Sequence, residues 1–395
     1  MKNLKKAFSL ITCLAVLISA FSLLAVSSSA QEAVHVWDGT TVAEGFAGGD
    51  GSEGNPYLIS TPEQLAYFAK NYTKDNSIGK TYKLTADIYL NKTDGSPFTN
   101  VWVNNKDESF NGVFDGDGHT IYGLYVPESV NANMAGFIPY ISGWGATVKN
   151  VRISHSELHA SNVCGALIGR ISEFYSWDDW DKAIFIEKCF IDSTVTVVSN
   201  NEGAGGILGM YGSGNMHRIR LFINDCASLG KITSNHPSWP FPGGIIGWHY
   251  AGEAYVSRCY AVGSKAIAAP NGYNYNNVYS TVQGSDTNGM AVLNDDQMKS
   301  ENAKANMVKF DFDTVWRTVE GGYPELRIFP EKTAEPVKGD INGDGELGSD
   351  DLIVLRKILL SVSGNEIPES ANINGDENVD ILDLIALKKM IANVA

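Results

Sequence analysis

One short acidic pattern near the C-terminus constrains this chain more than any other feature. Oxygen-bearing side chains stand at the first, third, fifth, seventh and twelfth places of a twelve-residue stretch: Asp340, Asn342, Asp344, Glu346 and Asp351. A loop with this spacing can wrap a Ca²⁺ ion, which takes roughly six to eight oxygen ligands, the seventh place supplying a backbone carbonyl. Gly345 at the sixth place permits the sharp turn that such a loop needs. The pattern therefore predicts a calcium site rather than an acidic surface turn.

The same pattern returns closer to the C-terminus, with Asn372 in the place of Asp340. The corresponding side chains of this second copy are Asn372, Asn374, Asp376, Asn378 and Asp383. Each copy is followed by an apolar, helix-like segment with a basic pair at the same place, residues 356–357 and 388–389. One such unit could not bury its apolar face alone, so we expect two loop–helix units packed together.

The two predicted calcium sites are not equivalent. Asn372 replaces the charged first ligand of the first loop, and Glu377 replaces the glycine at the sixth place. Fewer charges and a more strained turn lower calcium affinity. We therefore predict two Ca²⁺ ions, the second bound more weakly.

The duplicated loop–helix pattern of residues 339–395 resembles a type I dockerin. The resemblance implies a small all-α module that folds with Ca²⁺ and docks onto a cohesin domain of a cellulosome scaffold. It also implies cohesin contacts from the tenth and eleventh loop positions and from the following helices: Ser349, Asp350, Arg356, Lys357, Ile381, Leu382, Lys388 and Lys389. The first loop offers Ser-Asp there and the second Ile-Leu, so we do not expect the two halves to be interchangeable in docking.

The N-terminus and the overall charge limit where the protein acts. Three lysines precede a long apolar run, and Ser28-Ser29-Ala30 offers a cleavage site, which predicts a secretory signal removed after Ala30. We expect no membrane segment after that cleavage, because no other run reaches the ~18 apolar residues of a span. The formal net charge of −15 argues against nucleic-acid binding.

The middle of the chain is also repetitive. Four stretches share a strand of small and aliphatic residues, a Gly-rich turn and an apolar-x-x-apolar pair: 135–154, 165–192, 205–230 and 243–263. Residues 110–126 continue the pattern upstream. Short strands recurring at a fixed period predict a solenoid of stacked coils. The repeats resemble the GLUG-type repeats of bacterial surface proteins, which implies a right-handed parallel β-helix and a mainly β fold.

Three cysteines, Cys189, Cys226 and Cys259, take one equivalent place in these repeats. Neighbouring coils lie about 4.8 Å apart, so the three side chains are expected to form an inward ladder. A free cysteine packs as a small hydrophobe. A disulfide is the alternative for a secreted chain.

Helical segments are expected to cover the ends of the solenoid. Thr61 and Gln64 make a capping box for a helix over residues 60–71, and Asn294 and Gln297 do the same over 294–307. The predicted organisation is a signal peptide at 1–30, a β-helix domain with capping segments at 31–329, a linker at 330–338 and a dockerin at 339–395.

Longer second and third repeats place extra residues at one corner of the predicted solenoid, and such insertions often mark a binding face. Aromatic rings at or near this corner are candidates for glycan binding: Tyr175, Trp177, Trp180, Trp248 and Tyr250. Candidate catalytic groups are Asp178, Asp179, Asp181, Arg218 and Arg220. The acids suit glycoside hydrolysis or calcium binding, and an arginine could be the base of a lyase. Alternatively, the aromatic residues only pack the insertions onto the solenoid.

These predictions combine into one interpretation. The chain is expected to be a secreted cellulosome subunit that docks to a scaffold cohesin and brings a β-helix to plant-wall polysaccharide for degradation. A non-catalytic glycan-binding, adhesive or structural subunit is the alternative. Whether the chain is an enzyme stays open from the sequence.

Overall fold

A computed structural model describes residues 34–102, 108–142, 145–172, 183–212, 220–238, 240–269, 274–282, 289–331, 339, 341, 347–360, 369–376 and 378–394. The chain divides into two compact units, and the division falls between Ile328 and Phe329. Within the described ranges, no helix is both long and apolar enough to cross a membrane. The domain limits expected at residues 30, 329 and 338 stay predictions.

Short strands make up most of the first unit. In chain order they are β1 (Tyr57–Ile59), β2 (Thr81–Leu84), β3 (Ile88–Tyr89), β4 (Val113–Asp115), β5 (Thr120–Tyr122), β6 (Tyr125–Val126), β7 (Met134–Ala135), β8 (Ile138–Ile141), β9 (Thr147–Lys149), β10 (Arg152–Ser154), β11 (Ser156–Ala160), β12 (Val163–Gly165), β13 (Ile168–Ile171), β14 (Ala183–Glu187), β15 (Phe190–Ile191), β16 (Val195–Ser199), β17 (Gly203–Gly205), β18 (Leu208–Tyr211), β19 (Arg220–Asn224), β20 (Ala227–Ser228), β21 (Lys231–Ser234), β22 (Phe241–His249), β23 (Glu253–Ala261), β24 (Lys265–Ala269), β25 (Tyr275–Ser280) and β26 (Met290–Val292).

These strands form a parallel β-helix, as the repeats predict. The groups β4–β8, β9–β13 and β14–β18 are successive coils, and each strand pairs in parallel with its counterpart in the next coil. In the following coil the fourth and fifth strands merge into β22. The right-handed winding that the resemblance implies accords with the general preference of parallel crossovers.

The inner rows of the coils are aliphatic. Val148, Ile186, Ile223 and Val256 lie in register on the first strands of four coils, and all are fully buried. Alternate residues of a strand point to opposite faces, so this row fills the interior. The first member of each predicted apolar-x-x-apolar pair is therefore a core position.

The cysteine ladder is confirmed. The backbone N–H of Cys189 donates to Sγ of Cys226 at 3.5 Å, and that of Cys226 donates to Sγ of Cys259 at 3.4 Å. All three are fully buried, and they and Cys164 are free thiols. Burial raises the pKa of the Cys226 thiol well above its usual value. The sulfurs of Cys226 and Cys259 thus fill the core and each accept a turn amide of the preceding coil.

Glycine allows close backbone approach where the fourth strand of a coil leads into the fifth. A Cβ added to the last glycine of the fourth strand would overlap a carbonyl oxygen of the fifth strand. The overlapping pairs are Gly165 with Ile168 and Gly205 with Leu208, and Gly243 overlaps Ile246 in the same way within the merged strand β22. The small residues of the repeat are therefore required by close backbone approach.

A helix covers the N-terminal end of the core. Helix α1 (Pro62–Asn71) is capped by Thr61, whose hydroxyl accepts from the Gln64 N–H at 3.3 Å. Leu65 and Phe68 of this helix are buried in the main core. The predicted capping box is wrong in one detail, because the Gln64 side chain accepts from the Ser60 N–H at 2.8 Å rather than from that of Thr61.

The rest of the unit contains short helices. They are α2 (Lys74–Ser77), α3 (Asp295–Met298), α4 (Asn302–Asn306) and a 3₁₀ turn at Glu128–Val130. The predicted capping box of α3 is confirmed: the Gln297 N–H donates to Asn294 at 2.9 Å, and the Asn294 N–H donates to Gln297 at 3.0 Å.

The last part of the unit runs along the outside of the coils. We call residues 311–328 the return strap; it contains the antiparallel pair β27 (Trp316–Val319) and β28 (Gly322–Leu326). Trp316 donates to Asp225 at 3.3 Å, and the Tyr260 hydroxyl donates to the carbonyl of Pro324. The strap covers outward-facing residues of the second strands, because Tyr260 is fully buried although Cys259 beside it points inward.

The second unit is helical. Its elements are α5 (Ser349–Leu360), a 3₁₀ turn at Glu369–Ala371 and α6 (Ile381–Val394). Leu355 and Leu387, which occupy corresponding places in the two repeats, are both fully buried in one small core. The two repeats therefore bury their apolar faces against each other, as expected for a duplicated module.

Candidate functional site

Asp351 closes the first predicted calcium loop. Its Oδ1 accepts the N–H of Ile341 at 2.8 Å, and its Oδ2 accepts the N–H of Gly348 at 2.8 Å. The residue is 1% exposed. One buried carboxylate thus holds the beginning of the loop beside its end.

Asp383 closes the second loop in the same way. Its Oδ1 accepts the N–H groups of Ile373 at 2.7 Å and Asn374 at 3.0 Å, and its Oδ2 accepts that of Asp380 at 2.8 Å. The residue is fully buried. Burial opposes its ionisation, but the amides of Asn374, Asp380 and Ile373 together hold the pKa of this carboxyl below its usual range. A charged carboxylate is therefore stable at this position.

The other predicted ligands of the second loop form a network of oxygen-bearing groups. Asn374 donates to Asp376 at 2.7 Å, and the Asn378 N–H donates to the same carboxylate at 2.8 Å. Asn372 accepts the N–H of Gly375, whose positive φ makes the turn. Its carboxylates and amide side chains fit the hard oxygen donors that Ca²⁺ takes.

Asp380 is a site residue that the sequence analysis missed. It stands at the ninth position of the second loop, where EF-hand-type loops often bind through water. Its Oδ1 also accepts the N–H of Leu382 at 2.7 Å, so it caps the start of α6. Gly348 takes this place in the first loop. The sequence signal that could have identified Asp380 is an acid directly before an apolar helical run.

The remaining first-loop residues, Asp340, Asn342, Asp344 and Glu346, lie outside the described residues. Their part in calcium binding stays a prediction. Within the described ranges, no three His, Cys, Asp or Glu side chains gather as a metal site. This is consistent with the second loop, which supplies several of its predicted ligands as amides.

The residues predicted to contact cohesin lie on the two helices. Ile381 and Leu382 are 59% and 53% exposed at the start of α6. The other described members also face water: Ser349, Arg356, Lys357, Lys388 and Lys389. Asp350 lies in α5, but its side chain is outside the described part.

In the β-helix, one corner joins the fifth strand of each coil to the first strand of the next. The connections from β13 to β14 and from β18 to β19 are the long ones, residues 172–182 and 212–219. Most candidates of this corner lie outside the described residues: Tyr175, Trp177, Asp178, Asp179, Trp180, Asp181 and Arg218. Their roles stay predictions.

Three of the corner candidates are described. Arg220 begins β19, is half-buried, and lies in register with Glu253 on β23. Trp248 stacks on Phe241 at 5.1 Å between centroids, while Tyr250 stands perpendicular to it, also at 5.1 Å. Phe241 therefore covers one face of Trp248, and Tyr250, 44% exposed, is the more accessible ring.

An aromatic ladder on the first face was not expected. Phe185, Phe222 and Tyr255 stack with centroids 5.2 and 4.8 Å apart and planes within 14°. Each immediately precedes a core residue of the repeat frame, which was the signal available in the sequence. Because stacked rings cover one another's faces, little flat surface remains between coils for a sugar.

The fold and the paired loops define a modular β-helix protein with a C-terminal calcium-loop module. Residues 338–392 match the dockerin type I domain. The C-terminal module is thus a type I dockerin, a domain that generally binds calcium and supports docking to cohesin. It indicates an extracellular protein of a cellulosome-type assembly.

Two other proteins are similar to this chain, one in structure and one in sequence. A crystal structure described as a "putative immunoglobulin A1 protease from Bacteroides ovatus" aligns over 72% of this chain and 96% of its own, with a TM-score of 0.51 and 15% identity. At that identity the likeness shows the fold alone. Halomucin of Haloquadratum walsbyi is 33% identical over 138 residues, which are 33% of this chain and 2% of that protein. The chain therefore matches only a small fraction of that relative's length.

Proposed function

We propose that this chain is a secreted subunit that attaches to a scaffold cohesin through a calcium-loaded dockerin and brings its β-helix to plant-wall polysaccharide for degradation. The observation that carries the docking role is the matched closure of two loops by Asp351 and Asp383. These two buried carboxylates stand at corresponding positions of the repeat and make the same kind of loop contacts.

Calcium would be held by oxygen ligands of both loops. The first set is Asp340, Asn342, Asp344, the carbonyl of Glu346, and Asp351; the second is Asn372, Asn374, Asp376, the carbonyl of Asn378, and Asp383. Bound Ca²⁺ would supply positive charge to a module whose residues 339–395 contain eleven acids and four bases. Since ligands converge only in the folded module, binding would stabilise the fold.

Calcium titration calorimetry on the whole chain tests the metal sites. We expect two ions, the weaker at the second loop, although Asp380 adds an acid there. Asp383→Asn should weaken one site and leave the other, whereas Asp296→Asn, an exposed acid of the β-helix, should change neither. Equal affinities at both loops would contradict the predicted difference. Binding to recombinant cohesins with calcium, and its loss with a chelator, tests docking.

The proposed role of the β-helix depends on the corner that carries the two long connections, from β13 to β14 and from β18 to β19. Arg220 follows the second long connection directly and lies in register with Glu253, so two charged residues stand at the strand ends of this corner. These groups support degradation of a polysaccharide by hydrolysis or elimination. Mutual coverage of the described aromatic rings favours the second candidate, a non-catalytic binding, adhesive or structural subunit.

The two candidates are separated by products. The chain is incubated with plant polysaccharides and calcium, and new oligosaccharides are sought by mass spectrometry. Products that disappear in Asp178→Asn, Asp181→Asn or Arg220→Ala but persist in Arg327→Ala would establish an enzyme acting at this corner. Retention on one polysaccharide without products, lost in Trp177→Ala or Trp180→Ala, would establish a binding module. If the chain forms no products and is retained on no polysaccharide, both roles in polysaccharide recognition are refuted.

A further inference from the structure

We infer that the dockerin docks in one orientation, with α6 against a cohesin surface that is apolar at its centre and acidic at its margin. This inference rests on the proposed docking function. It adds which half of the duplicated module makes the contact and what chemistry the partner must offer.

The duplication provides two candidate docking faces. The repeat sets Asp351 against Asp383, so the first turns of α5 and α6 can be compared directly. The pairs are Ser349 with Ile381, Asp350 with Leu382, and Ile353 with Ile385. Both helices then carry a basic pair, residues 356–357 and 388–389. The two faces therefore differ most at the start of the helix.

The start of α6 carries an apolar patch, formed by Ile381, Leu382 and Ile385. Ile385 lies four residues after Ile381 and three after Leu382, which places all three together on the helix surface. Their exposed fractions are 59%, 53% and 48%. The core-facing side of the helix is separate, because Leu384 and Leu387 belong to the core cluster of the module. The patch is thus not needed for internal packing.

The start of α5 does not offer the same surface. Ser349 is exposed and polar, and Ile353 is 49% exposed. The positions that correspond to Ile381 and Leu382 hold Ser349 and Asp350, so Ile353 has no aliphatic residue at either of them. Docking through α5 would leave Ile381 and Leu382 in water. Docking through α6 would bury them, and large apolar side chains buried at the centre of an interface contribute most of its binding energy.

The charge beside the patch specifies the margin of the partner. Lys388 and Lys389 are exposed and lie three and four residues after Ile385, on the next turn. Complementary charge at the rim of an interface raises the association rate and selects the partner. A cohesin that fits this face therefore places aliphatic or aromatic residues opposite the patch and carboxylates opposite the two lysines.

The test compares matched variants of the full chain, in saturating calcium, against a panel of recombinant cohesins by titration calorimetry. The α6 variant combines Ile381→Ser with Leu382→Asp, which gives α6 the residues of α5. The α5 control is Ile353→Ser. Both change exposed side chains, and circular dichroism with calcium verifies folding. We expect at least about 100-fold weaker binding for the α6 variant and less than about 3-fold for the control, because only the α6 variant removes two apolar anchors from the centre of the interface.

Charge reversal gives a second readout. Lys388→Glu with Lys389→Glu should slow association, whereas Arg356→Glu with Lys357→Glu should leave it nearly unchanged. An α6 variant that binds like the wild type, or an equal loss in the α5 control, would overturn the single orientation. If the wild type binds no cohesin, the proposed docking itself fails and this inference with it.

Discussion

Glu325 accepts a hydrogen bond from Arg152 at 3.1 Å, although 173 residues separate them in the chain. The same carboxylate oxygen accepts from Arg317 at 2.8 Å. The side chains of Glu325, Arg152 and Arg317 are 14%, 4% and 10% exposed. One acid on the return strap thus pairs with two guanidinium groups in a largely dry environment.

Glu325→Gln should destabilise the β-helix strongly. Removing the acid of a buried ion pair leaves the two guanidinium groups less well compensated, and such a loss costs up to about 3–5 kcal/mol. Urea unfolding measures the change. The control is Glu301→Gln, which removes an exposed pair with Lys304 and should cost about 1 kcal/mol or less. Similar losses in both variants would show that burial of the Glu325 cluster is energetically unimportant.

Gly205→Ala should also be destabilising, by about 1–3 kcal/mol, because the new methyl group overlaps the Leu208 carbonyl between two closely packed strands. Gly45→Ala is the control, since no atom lies near the position of its added Cβ. Thermal unfolding of both variants provides the comparison. A stable Gly205→Ala protein would mean that the fourth and fifth strands can separate at little cost.

The cysteines should be unreactive in the native protein. Cys164, Cys189, Cys226 and Cys259 are fully buried, and burial raises the thiol pKa of Cys164 and Cys226, so few thiolates are present to react. Alkylation followed by peptide mass spectrometry should label these four sites only after denaturation. Rapid native labelling, or an intact disulfide between ladder positions, would contradict a reduced ladder.

Acid should weaken the fold through His249. Its Nδ1 pairs with the Tyr275 hydroxyl at 2.8 Å and its Nε2 with the carbonyl of Gly252 at 3.0 Å, and burial lowers its pKa below the usual 6.5. The unfolded chain therefore takes up a proton first as the pH falls. The unfolding free energy should be unaffected by this residue above about pH 6.5 and should fall below it, by up to about 1.4 kcal/mol per pH unit.

Denaturant unfolding at pH 5 and pH 7 measures this effect. His249→Gln should reduce the difference between the two values. His35→Gln, at an exposed position, should preserve it. An unchanged pH dependence in His249→Gln would assign the acid sensitivity to other groups.

Features that repeat could be predicted from the sequence. The core row through Ile186 and Ile223 and the cysteine ladder recur in each coil, so several copies specify the same environment. Both loops of the dockerin were recognised for the same reason, because the spacing of Asp376 and Asp383 matches that of Asp344 and Asp351. Repetition allows a weak local pattern to be checked against its own copies.

Features that occur once were missed or misplaced. The return strap has no second copy, and nothing in the sequence near Glu325 indicates that its partner is Arg152. The Gln64 side chain accepts from the Ser60 N–H because the extended Thr61 before the helix brings that group within reach. The capping pattern alone does not determine whether the N–H of Ser60 or that of Thr61 is bonded. The aromatic ladder repeats, but alternation on a strand does not reveal whether neighbouring rings stack.

The return strap also changes how the solenoid should unfold. In a simple stack each coil contacts only its neighbours, so the ends can fray while the middle persists. Here one segment bonds to Arg152 in an early coil and to Asp225 and Tyr260 in later ones. If a terminal coil unfolds and releases the strap, coils that are not its neighbours therefore also lose their bonds to the strap. The β-helix should then lose its structure in a single cooperative transition, as a closed globular domain does.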